Sequence, residues 1–140
     1  MFFHNISYWT VIVATVVVMA IGYVWYSPIL FGGLWMKSKG FTTESLKEKS
    51  KARSMAPVWG GMVLSTFIMA VVVAALFQSL IITSLGGMLL LAVCVWAAFS
   101  IHAAIGDYAF GGEPTAAFLI KIGHELVAIV ALCLIIGIWG

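Results

Sequence analysis

The chain has 140 residues, of which 64 % are hydrophobic and only 9 % are charged. An average soluble domain is about 45–50 % apolar and about 25 % charged, and a globule of this size needs a largely polar surface. Seven Lys and Arg with five Asp and Glu cannot provide that surface. The same composition excludes a disordered chain, a nucleic-acid-binding module and a disulfide scaffold. It predicts an integral membrane protein whose main partner is the lipid bilayer, with no nucleic-acid partner.

Four apolar runs are long enough to cross a bilayer as helices, which takes about 20 residues each. They lie at about 8–26, 59–80, 85–105 and 115–139. Backbone polar groups in lipid must bond within their own segment, so helices are favoured over the shorter alternating strands of a barrel. The prediction is an all-α, polytopic membrane protein that forms one four-helix transmembrane domain over 1–140, with a loop at about 27–58.

Positive charge predicts how the chain is threaded through the membrane. Six of the seven basic residues lie between the first and second spans, and the seventh, Lys121, lies inside the fourth. Loops rich in Lys and Arg stay in the cytoplasm. We therefore expect a multi-pass protein of the cytoplasmic (inner) membrane, with the 27–58 loop inside the cell and both termini facing out.

The predicted cytoplasmic loop has two parts. Residues 29–35 are too few to span and too apolar to lie in water, which indicates a re-entrant or interfacial stretch. Residues 42–55 are predicted to form a short amphipathic surface helix, since Ser45 and Glu48 have the capping-box spacing. The basic residues of this helix either bind anionic lipid or serve only as an orientation signal on a solvated loop, and the second interpretation is favoured. These basic residues are Lys47, Lys49, Lys51 and Arg53.

Ionisable residues inside the fourth span form the one group that could carry chemistry. On a helix, His124 and Glu125 lie within about 60° of Lys121, so the three share one face. A charge near the centre of a membrane helix costs about 2.5–3.5 kcal/mol and normally faces the bundle interior or a water-filled cavity. From the third span, His102 and Asp107 approach the inner interface, which predicts a polar cluster in the inner half of the membrane. Within it, Lys121 pairs with Glu125 one helical turn away, or extends towards these two residues of the third span.

The segment that begins at His124 and Glu125 has the first half of a zinc-protease pattern. That pattern, His-Glu-x-x-His, needs two His one helical turn apart to bind the metal. Position 128 is Ala, so the second ligand is missing. The glycine pairs of the chain also lack the lysine and the strand–turn–helix context of a phosphate-binding loop. The sequence therefore predicts neither a metal nor a cofactor.

Two stretches of the chain resemble a known family. The first lies at the end of the first span, and we call it the Trp-Tyr-Ser-Pro motif after its first four residues. It comprises Trp25, Tyr26, Ser27 and Pro28, followed by Phe31 and Gly32. The second is the run from Phe118 to Val127, followed by Gly137, Ile138 and Trp139. Both are similar to the corresponding parts of domain of unknown function 1761, a family of small prokaryotic membrane proteins. The resemblance covers essentially the whole chain and implies a four-helix protein of the cytoplasmic membrane, without an established activity.

Three functions are open on these residues. The first, which we favour, is a small transporter or channel that uses the polar cluster as a proton or ion relay. It would be a homo-oligomer, because four helices alone rarely enclose a pathway. The second is a structural or accessory membrane protein, whose cluster only fixes helix packing. The third and least favoured is an enzyme acting on a lipid or quinone, with His102 and Asp107 as acid and base.

Overall fold

Long apolar helices make up most of the protein. The structure, a computed structural model, describes residues 6–42, 44–45 and 56–139. Its main helices are α1 (Tyr8–Trp25), α2 (Gly32–Lys39), α3 (Ala56–Leu80), α4 (Leu85–Phe110) and α5 (Thr115–Trp139). All of these except α2 are long and apolar enough to cross a membrane, and the residues described contain no strand. The prediction of an all-α membrane protein with four such helices is confirmed.

Polar side chains and prolines mark where the helices begin. The hydroxyls of Ser7 and Ser84 accept hydrogen bonds from backbone N–H groups in the first turns of α1 and α4, and so cap these helices. Pro57 lies in the first turn of α3 and Pro114 directly precedes α5, where a backbone N–H would have no helical partner. The described part of α3 starts at Ala56, slightly before the expected start at about 59.

A π-helical turn interrupts α4, and the sequence pattern does not reveal it. Residues Trp96–Ile101 have π spacing and lie between the α-helical segments Leu85–Val95 and His102–Phe110. The helix runs to Phe110 rather than ending at about 105, because neither a proline nor a glycine pair interrupts it before Gly111. A π turn adds one residue, which rotates the face presented by all later residues by about 100°.

The centre of the fold is α5. It contacts α1, α2, α3 and α4, whereas α4 packs mainly against α5. One fully buried alanine on each membrane-crossing helix lets the helices approach closely; these are Ala14, Ala70, Ala92 and Ala117. Two glycines of α5 do the same, because a side chain at Gly123 would meet Trp25 of α1 and one at Gly137 would meet Met88 of α4.

The segment between α1 and α3 begins with a turn over residues 26–31, followed by α2, which packs against α5. We call the end of the bundle at which α1 and α4 finish and α5 starts the basic end, because Lys37 and Lys39 lie there in the last turn of α2. The predicted surface helix at 42–55 falls mostly outside the described residues. The four basic residues proposed to contact anionic lipid all fall outside them: Lys47, Lys49, Lys51 and Arg53.

Candidate functional site

The Trp-Tyr-Ser-Pro motif forms a tight turn that leads from α1 into α2. The backbone N–H of Phe31 donates to the carbonyl oxygen of Trp25 at 3.0 Å, and that of Gly32 donates to the carbonyl oxygen of Ser27 at 3.0 Å. Gly32 is buried, and a Cβ atom there would overlap the carbonyl oxygen of Tyr26. Since backbone atoms cannot move aside cheaply, only glycine fits at this position.

This turn packs against the part of α5 that contains the candidate site. The indole Nε1 of Trp25 donates a hydrogen bond to the carbonyl oxygen of Ile120 at 3.0 Å. The Trp25 ring also contacts the ring of Phe31, with centroids 4.7 Å apart. A Cβ atom at Gly123 would lie 3.3 Å from the Trp25 ring, so the absence of a side chain there lets the indole reach the α5 backbone. Pro28 is exposed on the turn.

His124 lies under the aromatic side chains of this turn. Its ring centroid is 5.4 Å from that of Tyr26 and 6.2 Å from that of Trp25, and its side chain is 15 % exposed. The Nδ1 atom is 3.8 Å from Oε1 of Glu125. The Nε2 atom is buried without a hydrogen-bond partner among the residues that the structure describes. It points towards α1, where a Cβ atom at Gly22 would lie 3.2 Å from it.

A cleft of about 450 Å³ lies between α1, α3 and α5, and His124 and Glu125 contribute its charged or ionisable groups. We call it the α1–α3–α5 cleft. Its remaining walls are aromatic, thioether, small and hydroxyl side chains: Tyr23, Tyr26, Trp59, Met19, Met62, Met69, Val18, Gly22, Ser65, Thr66 and Ala128. The hydroxyls of Ser65 and Thr66 donate to the carbonyl oxygen of Met62 within α3. The cleft is therefore mostly apolar, with hydroxyl groups on the α1 and α3 sides and its imidazole and carboxylate on α5.

Lys121 makes its ion pairs away from that cleft. Its Nζ atom is 3.1 Å from Oδ2 of Asp107 and 3.2 Å from Oε2 of Glu113, so it extends towards the basic end instead of pairing with Glu125. Lys39 of α2 lies 3.8 Å from the other oxygen of Glu113. Sequence reasoning missed Glu113, whose side chain is only 7 % exposed. The available signal was its position in the short connection that must fold back beside the first turns of α5.

The structure does not bring His102 into this group of residues. Its side chain is exposed on α4 and makes neither a hydrogen bond nor an ion pair with any part of the chain that is described. The π-helical turn lies directly before His102 and rotates the face on which it falls. The cluster expected from the sequence is thus divided: Lys121 pairs with Asp107, while His124 and Glu125 line a separate cleft.

Comparison with protein families identifies the chain. A family model described as "Protein of unknown function (DUF1761)" matches residues 9–137, which include the Trp-Tyr-Ser-Pro motif and almost all of α5. The chain belongs to the DUF1761 family. The resemblance seen in the two sequence stretches is therefore confirmed. No curated protein and no solved structure matches this DUF1761 protein.

Two further clefts of this DUF1761 protein lie along α5 towards the basic end, and the first of them shares Glu125 with the α1–α3–α5 cleft. A cleft of about 340 Å³ between α4 and α5 is lined by Asp107, Lys121 and Glu125, together with residues around the π turn. A further cleft of about 450 Å³ at the basic end is lined by the four ion-paired residues. Glu125 lines both the α1–α3–α5 and the α4–α5 clefts, and Asp107 and Lys121 line both the α4–α5 and the basic-end clefts. Polar groups thus connect the basic end with the middle of α5.

The residues of the DUF1761 site suit acid–base and hydrogen-bond chemistry. Across the described ranges, no three His, Cys, Asp or Glu side chains are grouped closely enough to hold a metal ion. Tyr26 follows the end of α1, and burial raises the pKa of its hydroxyl to about 12, with smaller contributions from the negative charges of Glu125 and Glu113. Because this hydroxyl keeps its proton at neutral pH, it can donate a hydrogen bond.

Proposed function

We propose that this protein is a small oligomeric transporter in which His124 and Glu125 relay protons. The proposal is carried by one observation. Both residues belong to a helix that is long enough to cross a membrane, and both side chains line a cleft beside it. At 1.5 Å per residue, they lie about 13–15 Å from the start of α5. Ionisable residues at such a depth are costly in lipid and mark ion pathways and proton relays. Histidine is suited to this role because it changes charge near neutral pH.

The adjoining clefts supply a route to these two residues. A proton that enters at the basic end passes Asp107, reaches Glu125 through the α4–α5 cleft, and is transferred to His124 in the α1–α3–α5 cleft. Glu125 is suited to join the two sides of α5, because its side chain is 40 % exposed and lines a cleft on each side. Lys121 stays ion-paired in this scheme and positions Asp107 rather than carrying the proton.

The transporter is proposed to be a homo-oligomer. The α1–α3–α5 cleft is partly open, and three helices of one chain form its walls. Beyond His124 it is lined by apolar residues such as Val18 and Met69, which provide no further proton carrier. A second copy of the chain would close the cleft and complete the pathway. We expect the mass of the purified protein, measured by native mass spectrometry from mild detergent, to be at least that of a dimer.

The chain is proposed to lie in the cytoplasmic membrane with its basic end inside the cell and both termini outside. Lys37 and Lys39 lie at that end, and the segment from 47 to 53 adds four more basic residues. Such an excess of positive charge is typical of the cytoplasmic side. In this orientation, those four residues would lie near anionic headgroups.

A structural role is the second candidate, and the ion pairs at the basic end favour it. Glu113 joins Lys39 of α2 to Lys121 of α5, and Asp107 adds the end of α4 to the same network. Every ionisable member of this group has an oppositely charged partner. These four residues therefore fix the packing of three helices, whereas the unpaired Nε2 atom of His124 has no comparable structural role.

Proton flux through liposomes tests the transporter proposal. Purified protein is reconstituted with the dye pyranine inside the vesicles, and a potassium gradient with valinomycin imposes a membrane potential. We expect the wild-type protein to acidify the interior faster than empty vesicles do. Glu125→Gln should reduce the rate to that of empty vesicles, because the amide cannot carry the proton.

The control is Glu44→Gln, the same chemical change at an exposed position outside the clefts, and it should keep the wild-type rate. Both variants must first show the wild-type circular dichroism and elution volume. Wild-type flux equal to that of empty vesicles would overturn the proposal. So would an unchanged flux in a correctly folded Glu125→Gln variant, since the relay would then not pass through this carboxylate.

A further inference from the structure

The α1–α3–α5 cleft contains two hydrogen-bond acceptors that lack a donor. The Nδ1 side of His124 faces Glu125, with 3.8 Å between Nδ1 and Oε1, so while Glu125 is ionised the tautomer that carries its proton on Nδ1 is favoured. In that tautomer Nε2 is an acceptor, and it is buried without a partner among the described residues. The second acceptor is the Glu125 carboxylate, which has no Lys or Arg within ion-pair distance in the same part of the chain. A ligand that donates hydrogen bonds would satisfy both groups.

The glycine at position 22 places no side chain of its own against the ring of His124. Gly22 lines the cleft, and a Cβ atom there would lie 3.2 Å from Nε2 and 3.8 Å from Cε1 of His124. A methyl group at this position would therefore cover the ring nitrogen. Nε2 is buried in the structure, so a ligand donor reaches it when the His124 ring turns towards the cleft.

The charge of the cleft favours a cation. Lys121, the one basic residue of α5, is turned away and forms its bonds with Asp107 and Glu113. None of the described residues that line the α1–α3–α5 cleft is Lys or Arg, and Glu125 is the charged group among them. A half-exposed carboxylate without a counter-ion, set in a mostly apolar cleft, attracts a positively charged ligand more strongly than the same carboxylate fully in water would.

The walls of the cleft favour an organic cation with an apolar part. Tyr23, Tyr26 and Trp59 present aromatic rings, which attract cations through their faces. Three methionines supply unbranched side chains that adapt to ligands of different shapes; these are Met19, Met62 and Met69. The volume of about 450 Å³ falls in the range of sites for small organic molecules, roughly 300–1,000 Å³.

We propose that the α1–α3–α5 cleft binds protonated organic amines, whose N–H groups donate to the Glu125 carboxylate and to Nε2 of His124 while their apolar part lies between the aromatic and methionine side chains. This inference names a substrate class for the cleft of the proposed transporter. Transport of the amines rests on the proposed function, whereas their binding does not. A quaternary ammonium ion, which has no N–H group, should bind only through charge and ring contacts and therefore more weakly.

Three probes of nearly equal size separate these contributions. They are 2-phenylethylammonium, its N,N,N-trimethyl analogue and the neutral 2-phenylethanol, titrated by calorimetry into protein in lipid nanodiscs, with empty nanodiscs as the blank. We expect saturable binding of the primary amine, about tenfold weaker binding of the trimethyl analogue, and no saturable binding of the alcohol. The tenfold difference corresponds to the loss of a hydrogen bond to a charged or buried group.

Two variants identify the contacts. Glu125→Gln should weaken both cations at least tenfold, because it removes the negative charge. Gly22→Ala should weaken the primary amine and leave the trimethyl analogue unchanged, because only the primary amine donates to Nε2 of His124. The matched control is Gly61→Ala on α3, where a Cβ atom meets nothing within 4 Å, and it should bind all probes as the wild type does.

The outcomes separate this inference from the transport proposal. Absence of saturable binding of the primary amine overturns the inference even if proton flux is found, and so does equal affinity for the primary and trimethylated cations. Wild-type affinity in a folded Glu125→Gln variant overturns it as well. Amine binding that requires Glu125, in a protein without proton flux, supports the inference and overturns the transport proposal alone.

Discussion

Trp25 and Ile120 are joined by a hydrogen bond between residues 95 positions apart in the sequence: the indole Nε1 of Trp25 donates to the carbonyl oxygen of Ile120 at 3.0 Å. On another side of α5, Nε1 of Trp96 donates to the carbonyl oxygen of Ile122 at 2.8 Å. The two indoles bind α5 to α1 and to α4 immediately before His124. The stretch of α5 directly before His124 is therefore fixed against α1 and α4.

Replacing Trp25 by Phe should destabilise the protein. The change removes the hydrogen bond to Ile120 and should lower the free energy of unfolding by about 1 kcal/mol. This is the typical contribution of a hydrogen bond in proteins and slightly more than the average measured in membrane proteins. The free energy of unfolding can be measured by circular dichroism in mixed micelles of mild detergent and sodium dodecyl sulfate. Trp9→Phe is the control, because Trp9 is 75 % exposed. Equal losses in the two variants would show that the bond contributes nothing.

Lys121→Met should destabilise the protein by about 2–3 kcal/mol, measured in the same way. The substitution leaves the largely buried carboxylate of Glu113 with Lys39 alone, at 3.8 Å, and loss of one partner from a buried ion pair is strongly unfavourable. The double variant Lys121→Met/Glu113→Gln should recover at least half of this loss, because the second change removes the unpaired charge.

Lys37→Met is the control for this experiment. Lys37 is exposed on the same helix as Lys39 and makes no ion pair with any residue in the described ranges, so the expected change is within about 0.5 kcal/mol. A loss in Lys37→Met as large as that in Lys121→Met would mean that total positive charge, rather than the contact with Glu113, determines stability.

Gly137→Ala should cost about 1–3 kcal/mol through overpacking. A Cβ atom at Gly137 would lie 2.5–2.8 Å from three atoms of the buried Met88 side chain. In a Met88→Ala background the same change should be nearly neutral, because the obstructing atoms are gone. Gly61→Ala, on an open part of α3, should instead stabilise the helix by up to about 1 kcal/mol. A Gly137→Ala variant as stable as wild type would contradict the close approach of α4 and α5.

The raised pKa of Tyr26 predicts a loss of stability at high pH. Burial raises the pKa of Tyr26 to about 12, compared with an ordinary value of 10.0, so the unfolded chain loses this proton first. The contribution to stability is complete below pH 10 and falls as the pH rises through 12. Tyr26→Phe should remove that part of the pH dependence, whereas Tyr23→Phe, at an exposed position, should keep it. Identical profiles for wild type and Tyr26→Phe would contradict the burial.

The membrane-crossing helices could be predicted because the length of an apolar run is read from neighbouring residues in the sequence. An apolar run of about 20 residues gives a helix whatever its neighbours are, so the expected starts at 8, 85 and 115 coincide with those of α1, α4 and α5. The shared face of His124 and Glu125 is also local, because it follows from the helical repeat. The cleft that this face lines depends on α1 and α3, and no local pattern specifies it.

The partners of the polar residues depend on features that one sequence does not display. Lys121 bonds to Glu113 because the connection before α5 folds back beside it, whereas the sequence left open a pair with Glu125 and an extension towards Asp107 or His102. His102 falls away from the group because a π turn precedes it, and apolar residues at 96–101 fit an α-helix equally well. The partner of Lys121 and the position of His102 are therefore set by tertiary packing, and the local sequence allows more than one outcome for each.

Cysteine labelling tests the proposed orientation of the chain. Thr42 lies in the loop after α2 at the basic end, and Thr83 lies in the short turn between α3 and α4 at the opposite end; both are exposed. In a background of Cys94→Ser and Cys133→Ala, which removes the native thiols, each threonine is replaced in turn by Cys. If the basic end is inside the cell, a maleimide that cannot cross the cytoplasmic membrane should label Thr83→Cys in whole cells. Thr42→Cys should react only after lysis, and labelling of Thr42→Cys alone in whole cells would establish the opposite orientation.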